Sequence, residues 1–145
     1  MTHRMIRRST LILTAAAITL VTAACHKTGT MNTAAKPANG LPAGVTAMMV
    51  AQGDSLFHAR SCRNCHGMDA KGARGGPDLT SGDYMHVSGS YDDFVKIITS
   101  GIPREEIKDT THHNPMPARG GARPAPLTDD QIRDVAAYVY SLSRK

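Results

Sequence analysis

Cys62 and Cys65 stand three residues apart in the stretch "CRNCH", with His66 directly after the second cysteine. One helical turn brings residues i and i+3 to the same side, so both thiols face one partner and the following imidazole can reach beneath it. Three chemistries use such a pair. Tetrahedral zinc needs four ligands, and the chain offers neither a second C-x-x-C pair nor an H-x₃₋₅-H. A dithiol of thioredoxin type belongs in a βαβ context, and no alternating strand pattern flanks these cysteines. The spacing suits covalent haem c, in which each thiol adds to a porphyrin vinyl group and the imidazole of His66 coordinates the iron.

The third cysteine, Cys25, closes a different pattern. Arg4, Arg7 and Arg8 precede an uncharged run from Leu11 to Ala24 that ends in small side chains, the pattern of a signal peptide over residues 1–24. At about 1.5 Å per residue the run reaches roughly 21 Å, short of a bilayer core of about 30 Å. Thr22-Ala23-Ala24-Cys25 resembles a bacterial lipobox, with Thr22 departing from the usual leucine. Lipidation at Cys25 leaves no free thiol in an oxidising compartment once Cys62 and Cys65 are committed. Haem c attachment to an exported, unfolded chain agrees with the general secretory route. Residues 25–45 are rich in Ala, Thr, Gly and Pro without apolar periodicity and read as a flexible tether.

Loss of residues 1–24 removes three arginines and no acid, so the formal charge falls from +5 to +2. The remaining chain has no basic run and no basic-aromatic interleaving, which excludes nucleic-acid binding as a reading. With no Trp and only two Phe among 145 residues, a domain of this size is short of large core side chains and calls for a bound cofactor or another staple.

Three segments must position the site. In "AMMVAQGDSLFHARSC", Met49, Gly53, Leu56 and Phe57 share a helical face, and Gly53 inside a helix implies close approach of another backbone. In "SYDDFVKIITSGIP", Ser90 caps a short helix with Asp93 at the capping-box position, Phe94, Ile97 and Ile98 form its apolar face, and Gly101 and Pro103 end it. In "PLTDDQIRDVAAYVYSLSRK", Thr128 and Gln131 form a capping box, Leu127 and Ile132 a hydrophobic staple, and Ile132, Val135, Val139 and Leu142 an apolar stripe beside Tyr138. The fold class expected is all-α.

From about residue 46 to 145 the chain resembles a small class I, bacterial monohaem cytochrome c preceded by a lipoprotein-type signal peptide. The resemblance implies three to five helices and loops wrapped around one covalently attached haem c, with the first and last helices crossing at Gly53, Phe57 and Tyr138. It implies that Pro77, in the loop "KGARGGPDL", offers its carbonyl to His66. Met116 in "HHNPMPARGG" matches the family's M-P element as the distal iron ligand, with His112 and His113 as alternative ligands and Met68, Met85 and His86 as further candidates elsewhere. His58 and His86 read as ordinary polar surface, and Lys71, Arg74, Arg119 and Arg123 as charges flanking the haem edge.

The function implied is one-electron transfer, not enzymatic catalysis, by a mobile carrier or a cytochrome subunit of a respiratory chain. Its partners would be redox proteins (a dehydrogenase, reductase or terminal oxidase), with no small-molecule substrate. Its place would be the periplasm, held to a membrane by the lipid on Cys25. The rival is a haem sensor or enzyme whose open distal position takes gas, peroxide or nitrite.

Overall fold

The computed structural model describes residues 40–112 and 114–143. The expected signal peptide, Cys25 and the tether up to residue 39 lie outside the described residues, as does His113. Val45 is already buried.

Among the described residues four helices form: α1 (Ala47–Ala59), α2 (Cys62–His66), α3 (Tyr91–Ser100) and α4 (Asp129–Leu142), with 3₁₀ turns at Arg104–Glu106 and Ala118–Gly120. Among the described residues, β-type pairing is limited to two isolated bridges, Ala73 with Gly76 and Ile102 with Met116. The all-α expectation is met.

The helix starts follow local chemistry. Thr46 caps α1 by accepting from the Met49 N–H at 3.2 Å. In α4 the capping box is reciprocal: Thr128 Oγ1 accepts from Gln131 N–H at 3.3 Å, and Gln131 Oε1 accepts from Thr128 N–H at 3.1 Å. The start of α3 differs from expectation. Ser90 caps it by accepting from Asp93 N–H at 3.1 Å, but the Asp93 carboxylate accepts from the hydroxyl and the N–H of Ser88. The preceding turn supplies the closer donors, so the box stays one-sided.

α1 crosses α4 where Gly53 permits it. A Cβ on Gly53 would lie 1.9 Å from the Asp134 carbonyl oxygen and 2.9 Å from Tyr138 Cβ, so only glycine lets the two backbones approach this closely. Phe57 and Tyr138 pack nearby as tilted rings with centroids 5.3 Å apart. The crossing joins two apolar clusters. One gathers Phe94 and Ile98 of α3 with Leu127 and Ile132, Val135, Ala136 and Val139 of α4. The other joins Phe57, Ala70 and Leu142. Leu127 and Ile132 are both almost fully buried, as a hydrophobic staple requires. Ala136 and Ala137 are also fully buried on α4; their small side chains let neighbouring elements close in, a role that apolar periodicity does not single out.

Candidate functional site

α2 is a single turn, and it sets Cys62 and Cys65 half-buried and unbonded to each other. Both thiols and the ring of His66 line one cavity whose other walls are mostly apolar, among them Leu79, Tyr84, Phe94 and Ile98, and Val135 and Val139 of α4. Tyr84 packs edge-to-face on Phe94 at 5.1 Å and donates its hydroxyl to the Leu79 carbonyl at 2.9 Å. Burial pushes the Cys62 thiol above its ordinary value.

His66 is held from the following loop. Its Nδ1 lies 3.0 Å from the Pro77 carbonyl oxygen. A carbonyl can only accept, so Nδ1 carries the proton, and in the neutral ring Nε2 keeps its lone pair. Burial lowers the imidazole's proton affinity, the Pro77 carbonyl opposes that shift, and His112 adds to it. The result is a neutral, oriented imidazole, the form in which a histidine can ligate a metal.

The loop reaches His66 because of two glycines. A Cβ on Gly75 would stand 3.0 Å from Cys65 Cα, and one on Gly76 would stand 3.0 Å from His66 Cε1. The loop is closed by a reciprocal pair, Ala73 N–H to the Gly76 carbonyl at 3.0 Å and the reverse at 3.2 Å, and by Gly72 N–H on the His66 carbonyl at 2.8 Å. The resemblance pointed to Pro77; Gly75 and Gly76 went unread, though consecutive glycines beside a buried ring are the available signal.

Met116 is half-buried and lines the same cavity; Met85 also lines it but is 57% exposed, and Met68, 59% exposed, does not line it. The Met116 backbone pairs with Ile102, N–H to carbonyl at 2.8 and 3.0 Å. Gly101 has φ +69°, and a Cβ there would fall 2.3 Å from the Met116 carbonyl oxygen. The glycine that ends α3 therefore also lets the Met116 segment lie against the helix end.

His112 lines the cavity too, but its Nδ1 is engaged 2.5 Å from Asp109 Oδ2. Asp109 is 7% exposed, and its Oδ1 accepts from the N–H and hydroxyl of Thr111 and from His112 N–H. The Thr111 donors, with those of His112, hold its carboxyl far below the usual carboxylate range. Sequence reading missed this dyad; the i, i+3 spacing of Asp109 and His112 was its signal.

Two histidines expected at the surface are structural. His58 bridges the carbonyls of Asp54 and Met68. His86 lines the cavity and accepts from Lys108 N–H at 3.3 Å. Arg119, expected among the edge charges, is instead a strut: its Nε donates to the Leu127 carbonyl at 2.8 Å and its terminal nitrogen to Asp129 at 2.6 Å. Lys71, Arg74 and Arg123 are exposed.

The donor set fits a covalent haem. Paired thiols, a neutral imidazole with one free nitrogen and a thioether share an apolar cavity, and the described residues hold no cluster of three or more His, Cys, Asp or Glu that would suit another metal. Among the described residues no helix is long and apolar enough to cross a membrane.

Comparison with known proteins agrees. The family described as Cytochrome c matches residues 50–143. The chain is 36% identical over 108 residues to the Cbb3-type cytochrome c oxidase subunit CcoP of Rubrivivax gelatinosus, covering 74% of this chain and 30% of that protein. It is 35% identical over 97 residues to the corresponding subunit FixP of Bradyrhizobium diazoefficiens, covering 67% and 31%. The chain thus spans about three-tenths of the length of these curated relatives. A similar solved structure is cytochrome CL of Methylophaga aminisulfidivorans, at 24% identity and a TM-score of 0.46, covering 66% of this chain and 53% of that one.

Proposed function

We propose, from the premise that this chain belongs to the cytochrome c family, that it carries single electrons as a periplasmic monohaem cytochrome c. The family's haem c would be held by thioethers from Cys62 and Cys65, with His66 and Met116 ligating its iron. The single observation that carries this reading is the shared apolar cavity lined by Cys62, Cys65, His66 and Met116, together with the commitment of His66 Nδ1 to Pro77.

When bound, the haem supplies the one-electron Fe(III)/Fe(II) couple. The chain's residues do the rest. Pro77 fixes the tautomer of His66 and raises the basicity of its free nitrogen. The soft thioether of Met116 would favour the ferrous state, and its backbone is fixed by Ile102 and Gly101. Leu79, Phe94, Val135 and Val139 exclude water, which disfavours the more highly charged oxidised state.

The partners proposed are redox proteins, a dehydrogenase, a reductase or a terminal oxidase. The relatives' description as oxidase subunits favours the last. In this reading the domain serves as a mobile carrier or as a subunit, tethered to a membrane through a lipid on Cys25.

Substituting Met116→Ala tests the ligand. The protein should keep its covalent haem, judged by a pyridine haemochrome spectrum, and its ferrous form should now bind carbon monoxide. An unchanged spectrum without carbon monoxide binding removes Met116 from the ligand set. One observation favours a second reading, an open-position sensor or enzyme: the Asp109–His112 dyad presents an oriented imidazole in the same cavity. Carbon monoxide binding by the unsubstituted ferrous protein decides for that alternative.

A further inference from the structure

We propose that His58 is a positioning residue for the His66 side of the cavity: as an imidazolium donating from both ring nitrogens, it ties α1 to the loop that carries Pro77. Its Nδ1 lies 2.8 Å from the Asp54 carbonyl oxygen, and its Nε2 lies 2.7 Å from the Met68 carbonyl oxygen. Carbonyl oxygens only accept, and a neutral imidazole has one N–H. In the neutral ring one nitrogen would set its lone pair against that of a carbonyl at under 3 Å; the doubly protonated ring satisfies both.

The bond to Met68 lies two residues past His66, at the start of the loop. From there the backbone runs to Ala70, buried against Phe57 and Leu142. Ala70 accepts from Leu79 N–H at 2.8 Å, which closes the loop just beyond Pro77. His58 is therefore a side-chain tie between α1 and the segment whose far end holds His66 through the Pro77 carbonyl.

The charged and titratable groups around His58 are few. From its own helix, the Asp54 carboxylate stands 3.1 Å from Nδ1. From α2, Arg63 opposes the charge. From α4, Tyr138 meets the His58 ring at 6.2 Å; burial, and then Asp54 and Asp69, raise its phenol above the ordinary value, so it stays neutral through the range concerned. The Asp54 and Met68 carbonyls raise the proton affinity of His58, burial opposes them, Asp54's charge assists and Arg63 opposes. The sign follows. With the folded-state value raised, the tie is fully present below the unfolded histidine value of about 6.5 and is lost as pH rises through the raised value.

The inference rests on the reading of His66 as the ligand-bearing wall only for its consequence at the iron; the protonation of His58 is read from its own ring. Nuclear magnetic resonance of the ferrous holoprotein should find both ring N–H protons of His58 below neutral pH, with a midpoint above about 6.5. Amide exchange at Ala73, Gly76 and Leu79, and exchange of the His66 Nδ1 proton, should accelerate at that same midpoint. The step should be about tenfold beyond intrinsic base catalysis, matching one lost hydrogen bond. His58→Gln should show the faster exchange at every pH and no step. A single ring N–H with a midpoint at or below the ordinary value overturns the proposal, as does a loop whose exchange shows no step in the unsubstituted protein. A protein that lacks covalent haem overturns the haem reading alone.

Discussion

The wall that carries His66 is closed by residues no more than eleven apart in the chain, ending in the contact from His66 to Pro77. The wall that carries Met116 is closed by another element: Ile102 and Gly101, at the end of α3, fix its backbone. The first wall is therefore closed within one loop, which docks on α1 and α4 through Ala70. The second exists only when α3 is packed, through Phe94 and Ile98, against α4. Local closure survives local loosening, whereas a wall assembled from separated segments fails with the packing that assembles it.

Substitutions can break that contrast at graded strength. The largest effect is expected for Gly53→Ala, which removes the frame common to both walls. A Cβ 1.9 Å from a backbone oxygen forces α1 off α4, and the loss of stability should reach about 3 kcal/mol or more in chemical denaturation, beyond ordinary overpacking. Gly101→Ala should cost about 2–3 kcal/mol, from the positive φ and the contact with the Met116 carbonyl. It should also expose the ferrous protein to carbon monoxide while leaving the His66 side intact. A Gly101→Ala protein that excludes carbon monoxide as well as the unsubstituted one would show that the Met116 wall does not depend on α3.

Gly76→Ala should be milder, about 1–2 kcal/mol, because its Cβ comes no nearer than 3.0 Å to His66 Cε1, against 1.9 and 2.3 Å at the other two glycines. Its signature should be a shifted His66 resonance without carbon monoxide binding. Asp109→Asn is expected to show itself chiefly in the pH dependence of stability. The native carboxyl titrates well below its unfolded value, so its contribution is present above about pH 4 and lost as pH falls through the lowered native value. Thermal melts from pH 7 to pH 2 should show a shallower acid decline for the variant. Parallel declines would mean that the dyad does not stabilise the Met116 side.

Legibility in the sequence followed the same division. The cap of α1, the reciprocal cap of α4 and the staple of Leu127 with Ile132 are short-range devices, and periodicity with side-chain chemistry sufficed to read them. Gly53 was legible because a glycine inside a helix has a known cost and hence needs a cause. The Ser88 contact of Asp93 was not, since two serines near one carboxylate compete by geometry alone. Nor were the roles of His58 and Arg119, whose partners at Met68 and Leu127 are fixed by how loops lie on helices.

By itself the sequence determined the chemistry on offer: two thiols one helical turn apart, an adjoining imidazole, a thioether between prolines, and three amphipathic helices to carry them. These are decided within a few residues, where covalent spacing and backbone periodicity leave little freedom. Only the tertiary structure decided which groups meet. It turned Nδ1 of His66 to Pro77, half-buried Met116 in the cavity while leaving Met85 at its exposed margin and Met68 outside it, and seated the Asp109–His112 pair beside them. Those outcomes depend on the close approach of α1 to α4 and on the packing of α3, which excluded volume settles only when the whole chain is folded.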